Sequence, residues 1–509
     1  MLALSAVLAL SACKQGPDFA SPTAPGENGY TGADEALPGD ADTNGKTGPA
    51  QRVKLGAKVE AEWWHLFHSP ALDRTVKQAL AESPTIAQAR ATLTQAHEQA
   101  NATAGGLLPQ IDLSAGIDRQ AINVQVSGTN RSAVPVSVFS IGPTVNYALD
   151  VFGGIKRQVE AQVALADVSD YQLGAAYLSL SGNITLQAVT IASLRAQIAT
   201  VEDILTDDQK NLDLVKTTLA AGTASLVDVT AAQSQLDGDR TLLPPLHQEL
   251  SVARHALVVF VGKTPADWTP PDFDLANLTL PADLPVSLPS QLVRQRPDIL
   301  AAEAQLHAAS AEVGVATANL YPNFSLTAAF GQDATQLTNY FSGAYSAWNF
   351  GANMAAPIFH GGTLRAQQRA AIAAFDASRE AYRQTVIQAF GQVADFLEAL
   401  THDAQSVASQ RQAVATAQEA LRLARLSYQN GNSTLLFVLQ AERLSQQAQL
   451  GVVQSEGRRF LDTAQLFVAL GSGWWDTPPT TLPATTPPPT LNSGDPRTSP
   501  AAVNPVRRS

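Results

Sequence analysis

Two histidines, His65 and His68, are spaced so that both imidazoles could lie near one face of a helix and bind a metal ion. Zinc normally takes three or four protein ligands, and no carboxylate or third histidine follows these two at ligand spacing. The glycine pairs in Phe152-Gly153-Gly154 and Phe359-His360-Gly361-Gly362 are not continued as a phosphate-binding loop. We also find no paired acid and base and no activated nucleophile. We therefore predict no metal, no cofactor and no enzymatic activity.

The one cysteine of the chain, Cys13, offers a different chemistry. Residues Leu2 to Leu10 are almost wholly apolar, and the run ends in Leu10-Ser11-Ala12-Cys13. This pattern is typical of a signal peptide, and its end resembles a bacterial lipobox, in which the cysteine is lipidated and becomes the first mature residue. Two or more acyl chains anchor a protein stably to a membrane. We predict lipidation of Cys13; the alternative is an ordinary buried cysteine.

Composition narrows the possible partners. The 509 residues include 33 Lys and Arg against 45 Asp and Glu, giving a formal charge of −12. Nucleic-acid binders normally carry a basic excess, so we expect no nucleic acid. Beyond the N-terminal run we find no stretch of about 18 apolar residues, and we expect no transmembrane helix. A membrane role would therefore require a β-barrel.

Proline placement predicts the long elements, because an interior proline breaks a helix. No proline occurs between Pro143 and Pro244, or between Pro357 and Pro478, and both stretches are rich in helix-forming residues. A helix from about Ile155 to Ala221 would extend roughly 100 Å, so such helices must pack as a coiled-coil-like bundle. Pro244-Pro245 predicts a bend or break in the returning helix.

The chain also repeats itself. Pro84-Thr85-Ile86-Ala87 aligns with Pro297-Asp298-Ile299-Leu300, 213 positions later, and Ala221-Gly222 aligns with Asn430-Gly431, 209 positions later. Matches that keep their register over such a distance predict a tandem duplication. The predicted organisation is a signal peptide (1–12), a lipidated extended N-terminal segment (13–60), a first repeat (61–275), a second repeat (276–475) and a disordered tail rich in Pro and Thr (476–509).

Each repeat contains a segment that alternates apolar and polar residues, as strand pairs do. These segments lie at about 110–152 and 323–358, and each predicted strand has about ten residues, enough to span a bilayer when tilted. Two soluble half-buried hairpins are the alternative. Four strands cannot close a barrel in lipid, but three chains would supply twelve. The predicted fold class is α+β, mainly α: a trimeric 12-stranded outer-membrane β-barrel continued by a 12-helix periplasmic α-barrel.

Several stretches resemble the TolC-like outer-membrane efflux factors, in particular their NodT-type lipoprotein branch. They are Gly16-Pro17-Asp18-Phe19, Trp63-Trp64 with Phe67, Leu292-Val293-Arg294-Gln295-Arg296-Pro297-Asp298-Ile299 and Gly314-Val315-Ala316-Thr317-Ala318-Asn319-Leu320-Tyr321-Pro322. The resemblance implies a homotrimeric exit duct in the outer membrane that conducts small molecules from the periplasm to the exterior. The partners it implies are a periplasmic adaptor (membrane fusion) protein and an inner-membrane pump of the resistance-nodulation-division type.

The resemblance also implies a gate where the long helices turn back. The turns contain Gly222 in the first repeat and Gly431 in the second, and Tyr428 matches a tyrosine that precedes the glycine in the family. By the same resemblance, the constricting positions fall on Leu436, Phe437, Gln440 and Arg443. Acidic residues common in the family are replaced by Phe437 and Gln440, while the first repeat retains Asp228. This predicts an apolar constriction; ordinary coiled-coil packing is the alternative for each residue.

Three other functions remain as alternatives. The first is an exit duct for type I secretion, and the second is a structural coiled-coil lipoprotein of the envelope, which the duplicated hairpins argue against. The third is a lipid-anchored periplasmic enzyme, which the absence of a catalytic motif argues against.

Overall fold

The computed structural model of the chain describes residues 15–24, 26, 29, 30, 51–122, 134–334 and 346–472. The predicted signal peptide (1–12), Cys13 and the predicted tail (476–509) lie outside the described residues.

The described elements follow one another in two similar series. The first series contains β1 (Arg52–Leu55), a 3-10 turn (Trp63–Phe67), α1 (Pro70–Glu82), α2 (Pro84–Gly105), β2 (Gln110–Ile122), β3 (Val134–Leu149), α3 (Gly154–Ala220), α4 (Leu226–Arg240) and α5 (Leu243–Val261). The second contains a 3-10 turn (Leu275–Asn277), β4 (Asp283–Val286), α6 (Pro289–Leu292), α7 (Pro297–Ala318), β5 (Asn323–Ala334), β6 (Ser346–Ala355), α8 (Thr363–Gln429) and α9 (Leu435–Ala469). The chain is mainly helical, as predicted.

The duplication extends to the lengths of the elements. Helices α2 and α7 have 22 residues each and begin 213 positions apart. Helices α3 and α8 have 67 residues each and begin 209 positions apart. Both long helices start after a left-handed glycine, Gly153 or Gly362, where the chain leaves a strand. The structure therefore confirms the tandem duplication and the two very long helices.

The two returning helices differ. In the second repeat α9 runs unbroken for 35 residues. In the first repeat the return is divided into α4 and α5, because Pro244 and Pro245 can join a helix only at its first turn. The bend predicted at these prolines is thus confirmed.

The hairpins of the two repeats form one antiparallel sheet in the order β2-β3-β5-β6. Its register places Leu113 opposite Pro143, Val145 opposite Ala328, and Phe324 opposite Met354. Because side chains alternate along strands, this register collects the apolar residues on one face. The polar residues Ser114, Thr144, Asn146, Thr327 and Asn353 lie on the other face.

A hydrophobic core surrounds the middle of the long helices, and we call this level the collar. Fully buried Trp63 packs against Phe467 with 5.5 Å between ring centroids. Strands β1 and β4, one from each series, pair in parallel nearby. The part of α3 in this core includes the fully buried residues Ile184 and Ile191.

This core accounts for the apolar stretch of one long helix. Among the described residues, α3 contains a stretch that is long and apolar enough to cross a membrane by length and composition, although the sequence analysis noted no such run. More than half of that stretch is buried inside the chain (56%). An apolar stretch is what a helix needs at the point where it crosses a protein core, so this segment of α3 serves packing.

The N-terminal strap, which we define as residues 15–23, lies over the start of α3 and along α7. The guanidinium of Arg157, in the first turn of α3, is fully buried. It donates hydrogen bonds to the carbonyl oxygens of Gln15 (2.9 Å) and Gly16 (3.1 Å) and to the carboxylate of Asp18 (2.9 Å). Gly16 lies so close to Gly314 of α7 that a Cβ atom on Gly16 would be 2.5 Å from the Gly314 Cα. The strap therefore joins one helix from each repeat.

Candidate functional site at the helix tips

Both long helices end in turns of the same geometry. Gly222 and Gly431 have φ angles of +80° and +75°, the left-handed region that glycine adopts without strain. The amide of Gly222 donates to the Leu219 carbonyl, and that of Gly431 donates to the Tyr428 carbonyl. Hydrogen bonds of this kind satisfy the last carbonyls of a helix. The predicted glycines are thus the residues that reverse the chain at each tip.

The first tip is closed by a capping box. The side chain of Asp228 accepts hydrogen bonds from the backbone amide of Ser225 (2.8 Å) and from its hydroxyl (2.7 Å), while Ser225 caps the Asp228 amide. Asp228 is half-buried and stabilises the start of α4. The corresponding helix start in the second repeat has no side-chain cap.

The four constricting positions predicted on α9 share one exposed face. Leu436 and Phe437 are 66% and 58% exposed. Gln440, about one turn further on, and Arg443, about two turns further on, are also exposed. The opposite face, with Leu435, Val438 and Leu439, is buried. Tyr428 is partly buried against the apolar cluster to which Leu435, Val438 and Leu439 belong, and it does not lie on the exposed face. The chain thus brings together four of the predicted site residues and leaves their face uncovered.

A buried carboxylate near this face was missed by the sequence analysis. The side chain of Glu442 is 4% exposed and accepts hydrogen bonds from Asn211 of α3 (2.5 Å) and from Arg425 of α8 (2.7 Å). It therefore ties α9 to both long helices. The signal was present, because Glu442 lies three and four residues after the buried Leu439 and Val438 and so continues their apolar stripe.

Asp208 of α3 is buried about one helical turn farther from the tip than Asn211, the partner of Glu442 on α3. Its Oδ1 accepts a hydrogen bond from Gln446 (2.8 Å), and its Oδ2 has no partner within the described part of the chain. The pKa of Asp208 is raised to about 7, mainly by burial and in part by the carboxyl groups of Asp239 and Glu442, against the opposing effect of the hydrogen bond from Gln446. Asp208 and Asp239 therefore form a pair of carboxyl groups in which Asp208 keeps its proton up to near neutral pH.

A second buried carboxyl group links α8 and α9 at the level of the collar. The pKa of Asp403 is raised to about 7, mainly by burial and in part by the neighbouring carboxyl group of Asp462, while Arg458 and Arg459 of α9 oppose the shift. Each helical hairpin therefore contains one carboxyl pair that favours a shared proton near neutral pH.

We expect Asp208→Asn and Asp403→Asn to stabilise the protein at pH 8 more than at pH 5. Because the folded-state pKa of each group lies above its ordinary value of 3.8, ionisation costs more in the folded protein than in the unfolded chain. The protonated group therefore contributes its full stability below pH 3.8. That contribution is lost as the pH rises through about 7. Each pKa unit corresponds to about 1.4 kcal/mol, so asparagine should raise the melting temperature at pH 8 by several degrees.

Thermal unfolding at the two pH values measures this difference, and Asp207→Asn, which replaces an exposed carboxylate, is the matched control. Equal stabilisation at pH 5 and pH 8 would contradict the assignment of these protons.

The two histidines considered as metal ligands are separated by the structure. Nδ1 of His68 lies 3.0 Å from the carbonyl of Leu66, whereas Nε2 of His65 lies 2.6 Å from Asp73 and 3.3 Å from Glu62. The group Glu62, His65 and Asp73 could hold an ion by geometry, but Nζ of Lys77 lies 3.0 Å from Asp73 and 3.4 Å from Glu62. The ammonium group already forms ion pairs with both carboxylates.

The charge on Asp73 agrees with this arrangement. Burial opposes ionisation of Asp73, but hydrogen bonds from His65, Lys77 and Trp64 outweigh it and lower its pKa to about 2. These ion pairs therefore hold the 3-10 turn against α1 and have a structural role.

Comparisons with known proteins agree with this architecture. The family profile described as outer membrane efflux protein matches residues 75–263 and 288–472, one match in each repeat. The pyoverdine export outer membrane protein OpmQ of Pseudomonas aeruginosa is 31% identical over 417 residues, covering 81% of this chain and 87% of that protein. Outer membrane protein OprJ of the same species is 29% identical over 474 residues, covering 93% and 95%.

A solved structure of the outer-membrane channel OprN superposes with a TM-score of 0.80 at 26% identity, covering 91% of this chain and 100% of that one. The profile matches more than half of the chain and falls on both repeats. This chain belongs to the outer membrane efflux protein family.

Proposed function

We propose that three copies of this chain form one continuous exit duct, with a twelve-stranded barrel in the outer membrane and a twelve-helix tube in the periplasm. Small molecules would pass through it without energy input from this protein, and the helix tips would close it. As a member of its family, the protein is an outer-membrane component of an efflux system that extends into the periplasm, and it is not an enzyme.

The exposed apolar face of the sheet is the observation that carries this proposal. Large apolar side chains on that face are 61% to 77% exposed in the chain: Ile111, Leu113, Ile117, Phe330, Trp348, Phe350 and Met354. A soluble sheet would bury such a face, whereas a barrel in a membrane turns it toward lipid. Among the described residues, β2 and β6 each lack a neighbour on one side, and an open edge is not tolerated in lipid.

The helices support three copies in the same way as the strands. Near the sheet, α2, α3, α7 and α8 lie side by side, and nearer the tips α3, α4, α8 and α9 do so. Each level therefore contributes four helices per chain. Three chains would give twelve helices beneath twelve strands, with α3 and α8 extending roughly 100 Å at 1.5 Å per residue.

The adaptor and pump are proposed partners. Membership of the family implies a periplasmic adaptor and an inner-membrane pump, and we propose a pump of the resistance-nodulation-division type. The uncovered apolar residues Leu226 and Val227 of the first tip are proposed to face the side from which an adaptor would approach. One relative is named for pyoverdine export and another for toluene efflux, so we propose small organic molecules as the transported class.

We expect the purified protein in detergent to be a trimer of about 160 kDa, three times the mass of one chain, and to conduct ions in a planar bilayer. Phe350→Lys should prevent insertion, because a lysine facing lipid near the membrane midplane costs roughly 2–4 kcal/mol. The neighbouring Asn349→Lys, on the polar face of the same strand, is the matched control and should still insert and conduct.

A folded monomer in detergent, or equal tolerance of both lysines, would contradict the proposed barrel.

Lipidation of Cys13 is the second part of the proposal. The amide of Gln15 donates to the carbonyl of Phe152 (3.3 Å), at the junction where β3 gives way to α3. Residue 15 is therefore held at the level where the barrel would meet the periplasm, and acyl chains attached two residues earlier could enter the adjacent leaflet.

We expect Cys13→Ser to abolish incorporation of labelled palmitate and to leave the precursor unprocessed. Because the sheet carries its own lipid-facing surface, some of the variant should still insert. Ser11→Ala, which keeps a small residue before the cysteine, is the matched control and should be labelled normally. Absence of label from the wild-type protein would disprove the anchor.

A further inference from the structure

A cavity of about 550 Å³ lies between the N-terminal strap and the helices α7 and α8. Its walls belong to a single chain, and most of their surface is apolar. The apolar side chains in these walls are Pro17, Phe19, Pro22, Leu306, Phe375 and Val386. Pockets that bind small organic molecules have volumes of roughly 300–1,000 Å³, so this cavity is large enough to hold such a molecule.

The walls of the cavity are well packed. Leu306 of α7 is 3% exposed, and Tyr382 and Val386 of α8 belong to the core of the collar. On the strap side, Phe19 stacks on His307 of α7 with 4.4 Å between the ring centroids. The cavity is therefore largely formed in the free chain, which lowers the entropy cost of binding a ligand.

Two buried hydroxyl groups in the lining lack a hydrogen-bond partner. Ser310 of α7 is 2% exposed and Tyr382 is 7% exposed, and both line the cavity. Within the part of the chain that the structure describes, neither hydroxyl forms a hydrogen bond. Buried polar groups are nearly always paired with protein, water or a ligand. Water gains little from apolar walls, whereas an apolar molecule with an acceptor oxygen suits both the walls and the hydroxyls.

The charged groups of the lining are paired, with one exception. The carboxylate of Asp18 accepts a hydrogen bond from Arg157 (2.9 Å), and Arg379 forms ion pairs with two carboxylates of its own helix. The guanidinium of Arg383 lies 3.8 Å from Glu380, beyond hydrogen-bond distance, and its side chain is 75% exposed. Arg383 can therefore bind an added carboxylate or sulfonate through parallel hydrogen bonds.

The equivalent groove of the first repeat has different side chains. Positions in α7 and α8 correspond to positions 213 and 209 earlier in α2 and α3. By these offsets Tyr382 corresponds to Leu173, and Arg383 corresponds to Gly174. The half-buried Phe375 corresponds to Ala166. Packing of the duplicated helices therefore does not require an aromatic and basic lining, and the second repeat has acquired one.

We infer that this cavity binds a small aromatic molecule that carries a carboxylate or sulfonate and a second acceptor oxygen. Phe19 and Phe375 would contact its rings, and the hydroxyls of Ser310 and Tyr382 would donate to the second oxygen. The guanidinium of Arg383 would bind the anionic group. The ligand would thus connect the strap to α8. Because one chain forms the whole cavity, this inference does not depend on the proposed trimer or on conduction.

Photo-crosslinking with benzophenone-4-carboxylate tests the site. This probe is an aromatic carboxylate with a ketone oxygen, and on irradiation it attaches to nearby C–H bonds. At the ligand efficiency of drug-sized molecules, its about 17 non-hydrogen atoms give a dissociation constant of roughly 0.1–1 mM. The full-length protein in detergent is irradiated in that range, and its peptides are analysed by mass spectrometry. We expect adducts on residues 17–23 and 375–386 and few on residues 166–177 of the first repeat.

Two analogues of similar shape test the chemistry of the ligand. Benzophenone lacks the carboxylate, and 4-(aminomethyl)benzophenone carries an ammonium group in its place. At equal concentration, each should label the cavity roughly three-fold to ten-fold less than the carboxylate, because each loses the charged hydrogen bonds to the guanidinium. Equal labelling by the ammonium analogue would overturn the assignment of an anionic ligand.

Three substitutions test the lining. Tyr382→Phe removes one hydroxyl with little change in shape, and Arg383→Gln removes the charge; each should lower labelling roughly five-fold. Ser310→Leu places a larger side chain in the cavity and should nearly abolish labelling. Tyr171→Phe and Arg369→Gln make the first two changes outside the cavity lining. These matched controls should be labelled as strongly as the wild-type protein.

The melting temperature in detergent shows whether each variant is folded. If Ser310→Leu does not fold, Tyr382→Phe and Arg383→Gln decide the question, because the first conserves shape and the second changes an exposed side chain. Labelling at the wild-type level in both would overturn the site. Adducts spread equally over the two repeats would show that the probe partitions onto any apolar surface, and this result would also overturn the inference.

Discussion

Replacing Leu436 and Phe437 together with alanine should raise the single-channel conductance of the protein several-fold and sensitise cells to vancomycin, which is too large to cross an intact outer membrane. Both side chains start α9 on a face that the chain leaves uncovered. If three copies of this face meet at the tip, the apolar rings and methyl groups would close the tube by packing and by excluding water. Alanine at both positions removes that closure and leaves the buried face of α9 intact.

Arg443→Ala is the matched comparison, because Arg443 is exposed on the same face of α9. It should change ion selectivity with a smaller effect on conductance, since a charge in a wet constriction is screened within about 10 Å. Unchanged conductance in the double alanine variant, at normal trimer levels, would place the constriction elsewhere. The first tip around Asp228 would then be the place to test.

Arg157→Met should release the N-terminal strap and lower the stability of the assembled protein by roughly 1–3 kcal/mol, the usual cost of leaving buried hydrogen-bonding groups without a partner. The substitution leaves the carbonyls of Gln15 and Gly16 without this donor and removes one of the partners of Glu160, which also lies 3.1 Å from Nε2 of His307. Methionine fills much of the same volume, so loss of hydrogen bonds should dominate over loss of packing.

Limited proteolysis of the strap and the melting temperature of the detergent-resistant trimer measure this effect. The matched control is Lys156→Met at the neighbouring exposed position, which should retain both wild-type values. If Arg157→Met also retains a protected strap and the wild-type melting temperature, the strap does not depend on the guanidinium.

The sequence predicted the long elements well because their signals are local. A missing proline over about a hundred residues favours a helix wherever it occurs, and alternation from Ile111 to Ile117 favours a strand. Gly222 and Gly431 mark the tips for the same local reason.

The contacts between elements could not be predicted from such signals. Arg157 meets Gln15 and Asp18 some 140 positions earlier in the chain, and Glu442 meets Asn211 more than 200 positions away. Which residues of two 67-residue helices meet depends on their axial alignment, and a local pattern carries no information on that alignment. The exposed face of α9 shows the same limit, because the pattern around Leu436 does not say which apolar residues remain uncovered.

The duplication has a consequence for how such a duct can evolve. Six identical units around an axis would have to carry every substitution six times, so all hairpins would change together. Joining two units in one polypeptide lets neighbouring hairpins diverge, and in the proposed trimer a new residue enters the ring only three times. The two repeats differ in this way. The returning helix α9 is continuous, whereas the return of the first repeat is divided at Pro244. Asp228 caps one tip, and the equivalent position at the other tip is Phe437. Fusion of two units in one gene thus lowers the symmetry of the ring and lets the two helix tips change independently.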